Sequence, residues 1–299
     1  MRITDEQAVH WVEHGYVVVP NFLTPDELAA GQANIHLMFP TSEEYAEAPQ
    51  RYRSPERGLM RNEFPFPGDA LNNIATHPDL IEFAERMLGI SDVALTHSTL
   101  IGKYAGAGDY DQNMHLDFIN NTLAYPRPEG EMRDVPAILY YSDVTAEHGP
   151  TCVVSQQHTH GQVRWPHFRT RAEEPALYAV EQPVVVSAGS ILLYTMRTFH
   201  RGSAFRAKAG SRYSHHIGYR AAAYRWMGQK VFQREGGRPE MDRFLQQATP
   251  RQREVVGFPP PGHAYWDEET LTGVAARYPK MDMTPYRQAA PSSAGGTGG

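Results

Sequence analysis

Between about residues 93 and 219 the chain alternates short apolar segments with turn residues, and this pattern constrains the fold more than any other feature. The turn signals include Gly149-Pro150, Ala188-Gly189 and Ala209-Gly210. Many short strands without long intervening helices favour a β-sandwich or a jelly roll. The predicted strands are 93–96, 98–101, 115–118, 137–141, 151–154, 184–186, 191–194 and 213–219.

Helices are predicted on the N-terminal side of this β region. Thr4 and Gln7 form a capping-box pattern, and Thr24-Pro25-Asp26-Glu27 is a second helix start. A third apolar stripe of helical period runs through about 78–88, and 16–19 reads as a buried strand. The sequence therefore predicts one domain over 1–288. It has a β core at about 93–222, N-terminal helices in 1–90 that pack on the core, and a C-terminal segment at 223–288.

Three stretches carry weaker predictions. Residues 40–70 are polar and rich in Pro, Arg and Glu, which predicts a long surface excursion that is either a functional lid or merely a mobile loop. The aromatic and proline-rich residues around 257–266 predict an ordered segment over the core or at an oligomer interface. The glycine-rich residues 289–299 predict a disordered tail.

Composition narrows the partners and the compartment. The net charge of −6 gives no argument for nucleic acid or an anionic membrane as partner, so a small-molecule substrate is expected. The N-terminus lacks the apolar run of a signal peptide, and no stretch reaches the roughly 20 apolar residues of a membrane span. The single Cys152 excludes internal disulfides and reads as a buried strand thiol. A cytoplasmic location is expected. The sequence does not indicate the oligomeric state.

The candidate metal ligands are His115, Asp117 and His200. On a strand, residues i and i+2 point to one face, so His115 and Asp117 would lie side by side. A second imidazole from His200 would complete two histidines and one carboxylate, which suits non-haem Fe(II) oxygen chemistry. The alternatives without a metal are an ion pair at a strand edge for His115 and Asp117, and a core histidine for His200.

Arg212 is the candidate for binding a carboxylate co-substrate, because it follows His200 at a distance that allows a turn and a return strand. Arg206 and Arg220 are competing candidates, and any of the three could be a solvated surface charge. Lys103 could also touch the substrate or co-substrate, although a surface lysine is the preferred interpretation.

Two other histidine motifs are weaker metal candidates. His77 and Asp79 open an apparent helix, where residues two apart do not face each other, so a capping role is predicted. His158 and His160 form an H-x-H pair that could bind a metal if it lay on a strand.

Three ordered segments resemble the phytanoyl-CoA dioxygenase family. The first is residues 14–28, from His14-Gly15-Tyr16 to Asp26-Glu27-Leu28. The second is His148-Gly149-Pro150-Thr151 followed by Ser155–His158, where Gln156 and Gln157 depart from the family's proline-glycine version. The third runs from Ala188-Gly189-Ser190 to His200 and on to Arg212. The resemblance spans about residues 10 to 220.

The resemblance implies a double-stranded β-helix, that is, a mainly β jelly-roll, cupin-like fold with flanking α-helices. It also implies an enzyme that uses Fe(II), 2-oxoglutarate and O2. By position, His115, Asp117 and His200 would bind iron, and Arg212 would bind the distal carboxylate of 2-oxoglutarate. Thr151 is a weaker candidate for that carboxylate. Leu116 stands where the family often has glutamine, so one secondary polar contact is not expected here.

The implied reaction is hydroxylation of an unactivated C–H bond, with 2-oxoglutarate converted to succinate and CO2. Because the family accepts natural products, amino-acid derivatives and acyl compounds, the sequence does not specify the substrate. Two alternatives come from other functional classes. One is a metal-dependent isomerase or lyase of similar barrel shape, and the other is a non-catalytic binding protein on the same scaffold.

Overall fold

The computed structural model describes residues 2–52, 60–107, 110–117, 134–161, 168–223, 232 and 238–289. The described helices are α1 (Asp5–His14), α2 (Pro25–Ile35), α3 (Ser42–Glu47), α4 (Ala70–Ala75), α5 (Pro78–Leu88), α6 (Gln156–Thr159), α7 (Pro175–Ala179), α8 (Pro239–Gln247), α9 (Pro250–Val255), α10 (Glu268–Arg277) and α11 (Thr284–Ala289), with a 3-10 turn at Pro49–Tyr52. The described strands are β1 (Tyr16–Val19), β2 (Met60–Glu63), β3 (Val93–Tyr104), β4 (Asp134–Tyr140), β5 (Thr151–Val153), β6 (Gln182–Pro183), β7 (Ile191–Tyr194), β8 (His200–Gly202) and β9 (Ser211–Ala221).

The strands form two antiparallel sheets. The large sheet has the order β1-β7-β4-β9-β3-β2, and the small sheet has the order β6-β5-β8. The longest ladder joins β3 to β9, from Val93 opposite Ala221 to Tyr104 opposite Ser211, with a register shift between Leu95 and His97. The predicted fold class, a mainly β jelly roll with flanking helices, is confirmed. The two segments predicted at 93–101 are one bulged strand.

The two faces of the large sheet have different neighbours. In β4, Ala137 and Leu139 belong to the main hydrophobic cluster that also contains the helices, whereas Ile138 and Tyr140 belong to a second cluster with Val153 of the small sheet. This alternation follows from the two-residue period of a strand. We call the face that looks toward the small sheet the interior face. It carries the even-numbered residues of β4 and β9, which pair in register.

The N-terminal helices pack on the opposite face. Thr4 and Gln7 form the predicted capping box of α1, and Trp11 on the same helix packs edge-on against Phe83 of α5. His77 is the N-cap of α5, and its Nδ1 accepts a hydrogen bond from the backbone N–H of Asp79. The capping interpretation of this pair is therefore confirmed.

The stretch at 40–70 differs from the predicted surface excursion. Tyr45, Phe64 and Phe66 are buried in the main cluster, and β2 forms the edge of the large sheet beside β3. The aromatic residues between the prolines, together with the pairing of β2, outweigh the polar composition. Residues 53–59, which contain two of the arginines of this stretch, lie outside the described residues.

The C-terminal segment contributes to the same core. Four large side chains of this segment are buried in the main cluster: Phe244 and Leu245 of α8, Trp266 before α10, and Tyr286 of α11. The predicted disordered tail lies outside the described residues, apart from Ala289. Within the described ranges, every helix is too short or too polar to cross a lipid bilayer.

Candidate metal centre and co-substrate site

The structure brings His115, Asp117 and His200 together on the interior side of the small sheet. One potential ligand atom from each lies within 4.8 Å of the others. Nε2 of His115 is 3.7 Å from one carboxylate oxygen of Asp117, and Nε2 of His200 is 3.4 Å from the other. The three side chains are only 8 to 18% exposed. This donor set could hold a divalent metal and leave positions open.

Backbone carbonyls orient both imidazoles for that role. Nδ1 of His115 lies 2.8 Å from the carbonyl oxygen of Asn113, and Nδ1 of His200 lies 3.0 Å from that of Thr198. Each Nδ1–H donates to its carbonyl, which places the lone pair on Nε2, the atom that faces Asp117. A metal-binding histidine commonly has this arrangement.

Asp117 is held as a carboxylate. Burial opposes its ionisation, but the charge and hydrogen bond of His200, with smaller effects of His115 and Tyr194, hold the pKa of Asp117 well below its usual range. The hydroxyl of Tyr194 donates to the carboxylate at 2.9 Å. The same interactions raise the pKa of His200 against the effect of its burial. Tyr194 was not singled out from the sequence, where it reads as the last apolar residue of a strand.

The backbone around His115 is not the predicted strand. Met114 and His115 form isolated bridges, the latter with His200, and Asp117 lies in a turn. His115 and His200 exchange both backbone hydrogen bonds, at 2.9 and 3.0 Å. The chain leaves β8 after this bridge, so the strand prediction for 115–118 is wrong within the described residues 115–117. The two side chains still converge because the turn carries Asp117 back toward His200. Phe118 lies outside the described residues.

An ion cluster on the outer face of the small sheet fixes the two ligand segments to each other. Arg201 donates two hydrogen bonds to Glu181, at 2.7 and 2.9 Å, and one to Asp111 at 2.8 Å. Gln112 binds both the N–H and the carbonyl of Gly202. Arg201 is only 6% exposed, and it adjoins His200 in β8. The partners are distant in sequence, so no local pattern predicts this cluster.

Gln156, one of the two departures from the family pattern, also supports a ligand. Its amide donates to the hydroxyls of Thr195 and Thr198, and its side chain packs under Gly15. The backbone at Gly15 has a φ of +77°, a conformation that favours glycine. Thr198 provides the carbonyl that orients His200.

Arg212 and Lys103 form a buried pair of cations on the interior face. The two residues are directly opposite each other in the β3–β9 ladder, and they are 5% and 3% exposed. Nη1 of Arg212 donates to the carbonyl of Gly149, and Nζ of Lys103 donates to that of Ser203 at 3.0 Å. Among the described residues, the buried Nε of Arg212 has no hydrogen-bond partner. Two buried cations with spare donors are suited to an anion.

The surface interpretation of Lys103 is therefore wrong. Burial, with the neighbouring charge of Arg212, lowers the pKa of Lys103 to about 7, and Asp111 opposes this effect. Burial also lowers the pKa of Arg212. The alternation of β3 could have indicated this, because Lys103 follows Thr99 and Ile101 on the interior face.

Thr151 lies beside this pair. Its hydroxyl oxygen accepts a hydrogen bond from Tyr140 at 2.9 Å, which leaves its own O–H to donate to a ligand. Burial raises the pKa of Tyr140, and the nearby charge of Arg212 opposes this effect.

The competing residues occupy other places. The side chain of Arg206 is 66% exposed and pairs with Asp111. Arg220 is buried on the interior face, but it is eight residues along β9 from Arg212. His158 and His160 lie on and after α6, not on a strand, and His158 is exposed.

His215 and His216 are consecutive in β9 and therefore point to opposite faces of the sheet. His215 binds Ser98 and Tyr141 on the helix side. His216 lies on the interior face, where burial and the charge of Arg212 lower its pKa to about 3, while Asp117 opposes this. His216 is four residues along β9 from Arg212, on the same face of the strand. A cavity of about 490 Å³ lies on the helix side, next to Gln32 and Tyr213, and none of the three candidate ligands lines it.

The comparisons with known proteins concern the family and the fold. The family model described as phytanoyl-CoA dioxygenase (PhyH) matches residues 11–213. Among curated protein sequences, none matches the chain significantly.

Several solved structures share the fold. SnoK, a non-haem α-ketoglutarate-dependent carbocyclase from nogalamycin biosynthesis, is 18% identical with a TM-score of 0.58, over 78% of this chain and 89% of SnoK. The epimerase SnoN, in complex with Fe³⁺, α-ketoglutarate and nogalamycin RO, is 20% identical with a TM-score of 0.53, over 73% and 83%. HygX from Streptomyces hygroscopicus, with nickel, 2-oxoglutarate and hygromycin B bound, is 19% identical with a TM-score of 0.52, over 75% and 89%.

At these identities the structural neighbours establish the fold, and the family model establishes the relationship. The predicted cofactors, Fe(II) and 2-oxoglutarate, are those of the family, and a His-Asp-His group able to hold a metal is present. Since the family model matches more than half of the sequence, this chain belongs to the phytanoyl-CoA dioxygenase family.

Proposed function

We propose that this protein is an Fe(II)- and 2-oxoglutarate-dependent dioxygenase that hydroxylates an unactivated C–H bond of a small molecule and releases succinate and CO2. The observation that carries the proposal is the combination of a largely buried group and a fully buried group. One is the cluster of His115, Asp117 and His200, and the other is the cation pair of Arg212 and Lys103. The first suits a metal, and the second suits the far carboxylate of a dicarboxylate.

In this proposal His115, Asp117 and His200 would hold iron, with Nε2 of each histidine and a carboxylate oxygen as the candidate donor atoms. Iron supplies the activation of O2 that no amino-acid side chain can provide. The protein fixes the ligand directions through the carbonyls of Asn113 and Thr198, and Tyr194 holds the carboxylate in place. These contacts reduce the reorganisation needed when the metal binds.

The cation pair binds and orients 2-oxoglutarate. Nε of Arg212 is available to the distal carboxylate, and the hydroxyl of Thr151 can donate to the same group. The ammonium of Lys103 adds a second charge. Fixing the co-substrate at both ends would hold its reactive end at the metal and its far end away from water.

Hydroxylation is the outcome we propose, because Asp117 is retained as a carboxylate. Its oxygens are directed at Nε2 of both histidines, so it would occupy a coordination position that a halide would otherwise need. Neighbouring structures named as a carbocyclase and an epimerase indicate that this fold also hosts other oxidative outcomes. A metal-dependent isomerase or lyase would not need the cation pair, and a metal-free binding protein would not need the ligand cluster.

The test is succinate formation under air with Fe(II), 2-oxoglutarate and a panel of natural products, amino-acid derivatives and acyl compounds. We expect at least one compound to raise succinate formation above the substrate-free rate. Its product should gain one oxygen atom and carry no halogen when the reaction is run in high chloride. A halogenated product from the unmutated protein would remove Asp117 from the ligand set. Product formation without 2-oxoglutarate would favour the isomerase or lyase.

The cation pair predicts a pH dependence for 2-oxoglutarate binding. With a pKa of about 7, Lys103 is an ammonium below neutral pH and loses its charge as the pH rises. Binding should therefore weaken up to about tenfold per pH unit above about pH 7, until the pKa of Lys103 in the complex is passed. The charged or titratable groups that face Lys103 are Arg212, Asp111 and Tyr110.

Lys103→Met keeps the length of the side chain and removes the titrating group. We expect this variant to bind 2-oxoglutarate more weakly below pH 7 and to lose most of the dependence above it. Calorimetric titrations between pH 6 and 9 measure both effects. The matched control is Lys208→Met, at an exposed position between β8 and β9. An unchanged profile in Lys103→Met would exclude Lys103 from the co-substrate site.

We also propose that residues 1–288 form a single domain and that the protein is cytoplasmic. The N-terminal strands β1 and β2, which complete the large sheet, support the first statement. The single buried Cys152 supports the second.

A further inference from the structure

A buried carboxylate lies on the interior face beyond the co-substrate site. Asp134 is the first residue of β4 and is only 3% exposed. It shares its face with Ile138 and Tyr140, and it pairs in register with Arg220. Tyr140, at the co-substrate end, is six residues further along the strand, or about 20 Å at ~3.3 Å per residue. Asp134 is therefore at the opposite end of the interior face from the cation pair.

β4 runs beside β7, which carries Tyr194. Leu193 of β7 pairs with Ala137, three residues from Asp134, and the hydroxyl of the next residue, Tyr194, donates to Asp117. Asp134 is therefore on the strand next to the one that supports the ligand cluster. It is not a member of the ligand cluster.

One oxygen of this carboxylate lacks a partner. Among the described residues, the buried Oδ1 of Asp134 has no hydrogen-bond partner. Burial and the charge of Asp117 raise the pKa of Asp134 to about 8, and Arg220 opposes this effect. A buried, unsatisfied carboxylate oxygen is rare in folded proteins and commonly marks a site for a ligand, ion or water.

The face between Asp134 and the cation pair carries polar side chains on β9 and β3, whereas Ile138 on β4 is apolar. Ser214 and His216 lie on β9, with Nε2 of His216 3.4 Å from the Ser214 hydroxyl, and Thr99 lies opposite His216 on β3. His97 and His216 are only partly buried, so this face reaches solvent. These uncharged groups can exchange hydrogen bonds with hydroxyls of a substrate.

We propose that Asp134 binds a protonated amine of the substrate, and that the substrates are small polar compounds with a basic nitrogen. This inference rests on the proposed function, because it assigns the substrate of the same site. An ammonium would give Oδ1 a charged donor and would favour the ionised form of the carboxyl group. The polar side chains on β9 and β3 would bind hydroxyl groups of the same molecule while Asp134 sets its position relative to the metal.

The test compares matched probes that differ in one functional group. The full chain is loaded with Ni(II) and 2-oxoglutarate, which gives no turnover, and is titrated calorimetrically with glucosamine against glucose and with putrescine against butanediol. A charge-assisted hydrogen bond predicts that the amine of a pair binds about ten- to hundredfold more tightly than the alcohol. Asp134→Asn should reduce this preference to within about threefold, and Asp134→Glu should retain part of it. Asp26→Asn, at an exposed position of α2, should retain all of it.

Two results would contradict the inference. One is equal or undetectable binding of amine and alcohol by the unmutated protein. The other is an unchanged amine preference in Asp134→Asn. If that variant does not fold, the comparison in the unmutated protein and in Asp134→Glu decides the question. The proposed function fails separately, because a protein that does not bind 2-oxoglutarate in the loading step has lost that function irrespective of its amine preference.

Discussion

Replacing His200 by alanine is expected to weaken Fe(II) binding by more than about a hundredfold and to abolish succinate formation. Loss of groups that merely support a metal ligand typically costs 10- to 100-fold in affinity, so loss of a ligand itself should cost more. The substitution also leaves Asp117 without the partner that does most to keep its pKa low. Anaerobic equilibrium dialysis against Fe(II) measures the first effect, and a coupled succinate assay measures the second.

His158→Ala is the matched control. His158 is exposed on α6 and belongs to the alternative H-x-H motif. We expect this variant to bind Fe(II) as tightly as the unmutated protein. The reverse pattern, in which His158→Ala loses the metal and His200→Ala retains it, would move the metal site away from the interior face.

The second large effect is expected at Arg212. Arg212→Met removes the buried guanidinium that we propose binds the distal carboxylate, and leaving one partner of a buried charge pair unpaired costs about 3–5 kcal/mol. This corresponds to a loss of 2-oxoglutarate affinity by a factor of hundreds to thousands. Fe(II) affinity should change by less than about threefold, because Arg212 does not belong to the ligand cluster.

The comparison with Arg206→Met separates Arg212 from its nearest competitor. Arg206 is exposed and bound to Asp111, so this variant should retain normal affinity for 2-oxoglutarate. Titration of each variant with 2-oxoglutarate in the presence of Ni(II) gives the two affinities. If Arg206→Met carries the larger loss, the co-substrate lies at the edge of the small sheet and not on the interior face.

The regular part of the fold was predictable because strands with one buried face follow a two-residue period. The strand predicted at 191–194 is β7 with the same bounds, and the segment predicted at 213–219 is the centre of β9. The segment at 93–101 was divided in two because the register shift after Leu95 interrupts the alternation.

The candidate site was less predictable, because its support comes from distant parts of the chain. Motif spacing identified the three residues that converge, but it placed His115 and Asp117 on a strand, whereas His115 forms a single bridge and Asp117 lies in a turn. Tyr194 and Asp117 are 77 residues apart in the sequence. Arg201 is 20 residues from Glu181 and 90 from Asp111, so no short stretch of sequence contains these contacts.

Lys103 shows a different limit. General experience places lysines in water, since burial of an ammonium opposes its charge. The strand period points Lys103 inward, and the structure follows the period. Burial of the ammonium group lowers the pKa of Lys103, and an anion bound beside it would offset this cost. A conflict between residue type and strand period is thus itself a signal of a functional position.

The most direct test of the central claim is an anaerobic titration of 2-oxoglutarate into the Fe(II)-loaded protein, followed by visible absorption. Chelation of iron by 2-oxoglutarate at the site of His115, Asp117 and His200 predicts a weak charge-transfer band that needs both components. The band should be absent in His200→Ala and should require much more 2-oxoglutarate in Arg212→Met. Fe(II) binding by the unmutated protein with no band at saturating 2-oxoglutarate would contradict the account.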